Sequence, residues 1–289
     1  MELAKLGSCI GTGSSCEVYE WGDEADVAVD KVVKLYHSHA SQDEVDREFR
    51  NCLAAWENGL PAARPFKQIL WEGRHGIVFE KVVGPTLVQR LFERLHAFDL
   101  FSDDSSDELI QFARTLHAIH QAGEIGGIVT EQKSHLKEII ARPVGLSDEE
   151  IAALHAYIDG LPAKRQVCHG DTNVTNLILS DRGPIMIDWM HAAIGNPAMD
   201  AAEFCVTILY AVLPPEMPSE VHAFFNASRQ TIYRTFIDEY TRLTGVTEAT
   251  IEPWHAVAAA RQLTSGAVGE EQAAAMAAMI REKLRLTVV

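Results

Sequence analysis

The sequence predicts an α+β protein of two unequal lobes, a small strand-rich N-terminal lobe and a larger, mainly helical C-terminal one. Three observations lead there. Up to residue 83 the chain reads mostly as short runs rich in valine and aromatic residues, separated by glycine turns, which is the pattern of antiparallel strands. Gly84-Pro85 breaks that pattern, and helical periodicity then dominates to the C-terminus. Into the helical part short apolar strands are inserted, at 167–168, 177–180 and 185–187. The expected lobes are therefore 1–83 and 84–289. A cleft between two such lobes is a natural ligand site.

The elements follow in order. Residues 5–10 and 17–21 read as strands around the turn Gly11-Thr12-Gly13-Ser14-Ser15. Residues 23–26 are a polar turn, and 27–36 form a valine-rich strand. Ser41 with Glu44 has the form of a capping box. Val45, Phe49, Leu53 and Trp56 then recur at helical spacing until Gly59. Pro61 and Pro65 stiffen a connector to strands at 68–71 and 76–83, which are joined by the turn Glu72-Gly73-Arg74-His75. Helices are expected at 87–95, at 107–121 with Gly123 as its stop, and from Ser147 to Tyr157. After Asn196-Pro197 the chain reads as helical to its end, with alanine-rich stretches at 256–260 and 273–278.

Composition excludes several classes. A net charge of −16 argues against a nucleic-acid partner, because phosphate neutralisation needs a basic surface. The same charge suits a cationic small substrate, and equally suits solubility alone. No apolar run is long enough to span a bilayer, and Met1-Glu2-Leu3-Ala4-Lys5 lacks the apolar stretch of a signal peptide, which points to a cytoplasmic protein. The five cysteines are odd in number with no CxxC spacing, so reduced, mostly buried thiols are expected.

The chemistry concentrates in one stretch. An apolar strand feeds His169-Gly170-Asp171-Thr172-Asn173-Val174-Thr175-Asn176, and a second apolar strand ends on Asp188. Phosphoryl transfer needs this mixture, a carboxylate to orient the attacking hydroxyl and hard oxygen donors for Mg²⁺. Asp171 suits the first task; Asn176 and Asp188 suit the second. Gly11 and Gly13, with Ser14, would let backbone N–H groups approach phosphates. Lys34 on a strand and Glu48 on the next helix supply a lysine that grips phosphates and a glutamate that fixes it. Lys31 and Glu44 are the rivals for those roles; an odd offset of three turns Lys31 to the opposite face of the strand.

These motifs resemble the aminoglycoside phosphotransferase and choline kinase group, within the protein-kinase-like fold. His169-Gly170-Asp171 with Asn176 resembles that family's catalytic loop, and Ile187-Asp188-Trp189 its metal-binding strand end. Gly195-Asn196-Pro197 with Asp200, the loop from Gly11 to Tyr19, and Val33-Lys34-Leu35 extend the likeness over roughly residues 5–285. The resemblance implies ATP and Mg²⁺ as cofactors, Asp171 as catalytic base, Asn176 and Asp188 as metal ligands, and Lys34, positioned by Glu48, on the α- and β-phosphates. It implies a hinge at Phe79-Glu80-Lys81-Val82, where the Glu80 carbonyl and the Val82 N–H meet the adenine edge. It makes His169 a support of the loop. The loop departs from its relatives between Asp171 and Asn176, where Thr172-Asn173-Val174-Thr175 replaces an aromatic-histidine-proline-glycine run. The implied activity is a kinase of a small hydroxylated molecule; the alternative is an inactive nucleotide-binding module.

Overall fold

Valine and aromatic residues alternating with polar ones build a five-stranded antiparallel sheet. Its strands are β1 (Lys5–Thr12), β2 (Cys16–Gly22), β3 (Lys31–Tyr36), β4 (Pro65–Trp71) and β5 (Arg74–Glu80), in the order β1-β2-β3-β5-β4. The computed structural model describes residues 5–13, 15–22, 30–100, 106–265 and 268–287. Ser14, the whole of the expected polar turn 23–26, and residues 27–29 of the expected strand lie outside the described residues.

The period of two along β3 sorts its side chains. Val33 and Leu35 join Trp21 and Val78 in a cluster on one face. Lys34 and Tyr36 point to the other, which α1 (Gln42–Glu57) covers. Ser41 and Glu44 close the expected capping box, so α1 starts at a fixed place and Glu48 falls about two turns beyond the cap. Several expected strand ends move: β4 begins at Pro65 instead of residue 68, β5 ends at Glu80 instead of residue 83, and β8 covers Gly183–Met186 instead of 185–187. The β4–β5 turn tightens to Glu72 and Gly73, at φ 48° and 80°, because a two-residue turn with both φ positive matches the strand twist. Strand β1 continues through Gly11, paired with Val18, leaving a narrower turn in which the Gly13 N–H donates to the Cys16 carbonyl at 2.8 Å.

The C-terminal lobe carries α2 (Leu87–His96), α3 (Ser106–Gln121), α4 (Gln132–Ile139), α5 (Asp148–Gly160), α6 (Ala198–Tyr210), α7 (Ser219–Thr244), α8 (Glu248–Ile251), α9 (His255–Thr264) and α10 (Glu270–Thr287). Strand β6 (Gln166–Cys168) pairs with β9 (Ala193–Gly195), and β7 (Leu177–Ser180) with β8 (Gly183–Met186). At the centre of its core Phe112, Phe204 and Phe236 lie with ring centroids 4.1 to 5.6 Å apart. Four of the five cysteines are buried free thiols, and Cys9 is exposed. No helix among the described residues is long and apolar enough to cross a membrane. Helix α4 and strand β9 are absent from the sequence expectation, since each is too short to show a period of its own.

The lobes meet along β7 and β8. Gly84 has φ 155°, and a Cβ there would sit 2.2 Å from the Leu179 carbonyl oxygen, so only glycine lets the chain cross β7. The Met186 N–H donates to the Pro61 carbonyl at 2.7 Å, and the Leu179 N–H to the Pro85 carbonyl at 2.9 Å. These bonds set the height of the loop between β6 and β7 against the N-terminal sheet.

Candidate active site

The run from His169 begins where β6 ends. Gly170 has φ 76°, and a Cβ on it would lie 2.1 Å from the His191 carbonyl oxygen; the loop closes only with glycine. Asp200, wholly buried on α6, accepts from the His169 N–H at 2.6 Å and the Gly170 N–H at 3.1 Å. His120 Nε2 lies 3.0 Å from the same carboxylate, and Tyr240 holds the other ring nitrogen at 2.9 Å. Burial works against the Asp200 charge, but His120 and the backbone donors outweigh it and hold the carboxyl below its ordinary range. His169 is a scaffold. The Asp171 N–H approaches its Nδ1 at 3.3 Å, so Nε2 carries the proton and donates to the Ile187 carbonyl at 3.0 Å. Burial keeps this imidazole neutral.

The departures between Asp171 and Asn176 have local substitutes. Thr172 is buried; its hydroxyl donates to the Asp200 carbonyl at 2.6 Å. Asn173 caps the short 3-10 turn Val174–Asn176, its side chain accepting from the Thr175 N–H at 3.2 Å. A side-chain cap thus closes the loop. Asn176 Nδ2 donates to the Asp171 carbonyl at 3.1 Å, which leaves Oδ1 with only a 3.5 Å contact from Thr175.

Asp188 follows β8 at φ 64°, ψ 65°, a left-handed backbone that few non-glycine residues adopt. The turn beyond it is tied to the N-terminal lobe by Asn51 of α1, which donates to the Trp189 carbonyl at 3.0 Å. Lys34 Nζ lies 2.8 and 2.9 Å from the two Glu48 oxygens and 3.1 Å from Asp188 Oδ2. Tyr36 also donates to Glu48, in a very short hydrogen bond. Lys31 instead sits over the Phe66 ring. Glu44 is occupied in the cap. Burial opposes the Lys34 charge, yet Asp188 and Glu48 overcome it and raise the ammonium above an ordinary lysine. Burial pushes Glu48 up as well. With the ammonium in contact with both carboxylate oxygens, the ion-pair direction seen at Lys34 is the one the geometry supports. Burial also opposes the Asp188 charge, but Lys34 and His191 lower its carboxyl.

The hinge residues lie where β5 ends. The Glu80 N–H donates to the Arg64 carbonyl at 2.9 Å, and its carboxylate accepts from the Arg64 N–H and from Arg182. The Val82 N–H has no hydrogen-bond partner among the described residues. Gly11 lies within β1 opposite Val18, and Gly13 stands in the β1–β2 turn.

Sequence reasoning passed over Arg261. It lies on α9, and its Nη1 is 3.3 Å from Asp171 Oδ1 and in tight contact with Glu203. Glu203, on α6, is buried and accepts from the Thr172 N–H at 3.1 Å. Burial pushes its carboxyl up to about 8; Arg261 opposes the shift, and the nearby Asp171 and Asp200 charges add to it. The signal was present in the sequence: Arg261 is the first charge after Ala256-Val257-Ala258-Ala259-Ala260, all buried. A charge ending such a run needs a buried partner.

A five-stranded lobe whose buried lysine meets a helix glutamate, set over a helical lobe that carries the acidic loop, is the build of a protein-kinase-like phosphotransferase. Residues 10–242 match the phosphotransferase enzyme family, APH, and the chain belongs to that family. No curated protein matches it in sequence. Among solved structures it is similar to a thermostable mutant of aminoglycoside phosphotransferase APH(4)-Ia in apo form, at 16% identity and a TM-score of 0.61, over 98% of this chain and 95% of that one. Amicoumacin kinase hAmiN, in complex with AMP-PNP, Ca²⁺ and Ami, gives 15% and 0.60 over 97% and 88%. Aminoglycoside phosphotransferase APH(3'')-Id from Streptomyces rimosus gives 15% and 0.57 over 86% and 89%. Identities this low establish the shared fold alone.

Proposed function

We propose that the chain transfers the γ-phosphate of ATP, with Mg²⁺, to a hydroxyl of a small molecule. The observation that carries this reading is the Lys34–Glu48–Asp188 contact, which brings a phosphate-gripping cation from one lobe to within 3.1 Å of a metal-type carboxylate from the other. Complexes of similar structures with AMP-PNP support the nucleotide. In this reading the adenine edge meets the Glu80 carbonyl and the Val82 N–H, and Gly11 and Gly13 face the phosphates. Lys34 holds the α- and β-phosphates, and Glu48 holds Lys34.

Asn176 Oδ1 and the Asp188 carboxylate are the hard oxygen donors that fit Mg²⁺. The fit rests on Oδ1 being nearly free and on Asp188 remaining partly exposed beside Lys34. When bound, the ion supplies neutralisation of charge on the phosphates. Asp171 accepts or orients the proton of the attacking hydroxyl, and the phosphoryl group passes directly to the acceptor oxygen. His169 and Asp200 keep Asp171 at the correct height and take no proton.

A second reading, a nucleotide-binding module without turnover, draws on the Arg261 contact, which already engages the Asp171 carboxylate. One experiment separates the two. Wild type and Asp171→Ala are compared for Mg-AMP-PNP binding and for Mg-ATP turnover against a panel of hydroxyl acceptors. The variant should bind the nucleotide as wild type does and lose about 10²–10⁴ in turnover. Full activity in the variant excludes Asp171 as base; nucleotide binding without wild-type turnover on any acceptor favours the module.

A further inference from the structure

On one side of Asp171 the charge has the opposite sign to that of the chain. The net charge is −16, yet two guanidiniums and two imidazoles gather there. Arg261 comes from α9, Arg47 from α1, His135 from α4 and His191 from the turn after Asp188. His135 Nε2 lies 3.1 Å from His191 Nδ1, with the rings 5.4 Å apart, and Arg47 Nη1 lies 3.5 Å from His135 Nδ1. Burial and the fields of both arginines fall on both imidazoles and lower them, His191 to about 3. At neutral pH the imidazoles are uncharged, and the positive charge rests on the arginines.

Neither arginine is fully used. Arg261 commits Nη1 to both its carboxylates, while its Nε is buried without a hydrogen-bond partner. Its Nη2 has no hydrogen-bond partner among the described residues. Arg47 has no ion-pair partner among the described residues. Of the nearby carboxylates, Asp171 is already met by Arg261 and Asp188 by Lys34. Glu203 is turned inward between Arg261 and the Thr172 N–H. Glu138 is exposed and faces His135 at 3.6 Å. An ammonium group entering here meets guanidiniums first. A carboxylate or phosphate meets positively charged N–H donors, Arg261 Nη2 first among them.

We propose that the acceptor alcohol carries an anionic group, a carboxylate or a phosphate, near its reacting hydroxyl, and that Arg261 and the Arg47–His135–His191 row receive that group. The role of the hydroxyl rests on the phosphotransfer reading above; the anion site does not.

The test is calorimetric titration of the Mg-AMP-PNP-saturated protein with glycerate, with glycerol as its uncharged match, with inorganic phosphate as a bare anion, and with streptomycin as a polycation. Glycerate should bind at least tenfold more tightly than glycerol, and phosphate should compete with it. Arg261→Gln should cost glycerate at least tenfold and glycerol less than twofold. Because Arg261→Gln removes the partner of a buried glutamate, Arg47→Gln serves as the second variant; Arg47 neutralises no carboxylate among the described residues, and its loss should weaken glycerate about threefold to tenfold. Equal binding of glycerate and glycerol, tighter binding of streptomycin, or unchanged glycerate affinity in both variants overturns the proposal. Failure of AMP-PNP to bind would instead count against phosphotransfer, and glycerate titrations of the free wild type and Arg47→Gln would still decide the anion site.

Discussion

Two buried cations, one in each lobe, are built alike. Lys34 bridges a wholly buried glutamate, Glu48, and a partly exposed aspartate, Asp188. Arg261 bridges a wholly buried glutamate, Glu203, and a partly exposed aspartate, Asp171. In each case the glutamate holds the cation and the cation reaches the residue proposed to do chemistry. The difference lies in what else braces the glutamate. Tyr36 donates to Glu48, and Lys34 contacts both its oxygens. Glu203 has Arg261 on one oxygen and a backbone N–H on the other, with Asp171 and Asp200 adding negative charge nearby. The first pair is tied down from the strand side; the second remains sensitive to proton concentration and to any anion that enters.

The largest break in that symmetry is Lys34→Ala. It leaves Glu48 buried and unpaired, and should destabilise the fold by about 3–5 kcal/mol in urea unfolding, with loss of nucleotide binding. Next comes pH. Glu203 keeps its proton to about 8 in the folded chain, against an ordinary value of 4.5. Between those values the folded state holds more protons than the unfolded one. The stability from this group is therefore full below about 4.5 and is lost as pH rises through 8. Thermal melts from pH 5 to 8 should show wild type losing about 2–4 kcal/mol relative to Glu203→Gln, which has no proton to release. Tyr36→Phe removes one donor from a buried carboxylate and should cost about 1.5–3 kcal/mol, which measures the brace that the Arg261 side lacks. The smallest effect is Ser41→Ala. It loosens the cap that sets the start of α1, and should cost about 1 kcal/mol.

The two sides also differ in how much of each the sequence revealed. Lys34, Glu48, Asp171, Asn176 and Asp188 stood in short motifs at fixed spacing, because their positions on one strand, one helix and one loop are local facts. Arg261 and Glu203 are 58 residues apart on different helices, and only the packing of α9 on α6 joins them. The strands of the N-terminal lobe were legible because alternation repeats over their length. Strand β9 covers three residues and α4 eight, so neither completes enough periods to be read. The Thr172–Thr175 stretch looked like a loss of shape. Its new shape comes from an Asn173 cap and from Thr172 bonds to α6, the second of which no local pattern announces.

The left-handed backbone at Asp188 narrows the set of residues that position will accept. Asparagine and aspartate tolerate φ 64° far better than alanine or any branched residue. Two separate demands, a hard oxygen ligand and a handedness, thus fall on one residue, and they overlap almost only in aspartate and asparagine. A substitution meant to silence the site therefore confounds chemistry with architecture if it is Asp188→Ala. Asp188→Asn removes the charge and keeps the turn, so it is the control that an inactive reference protein requires.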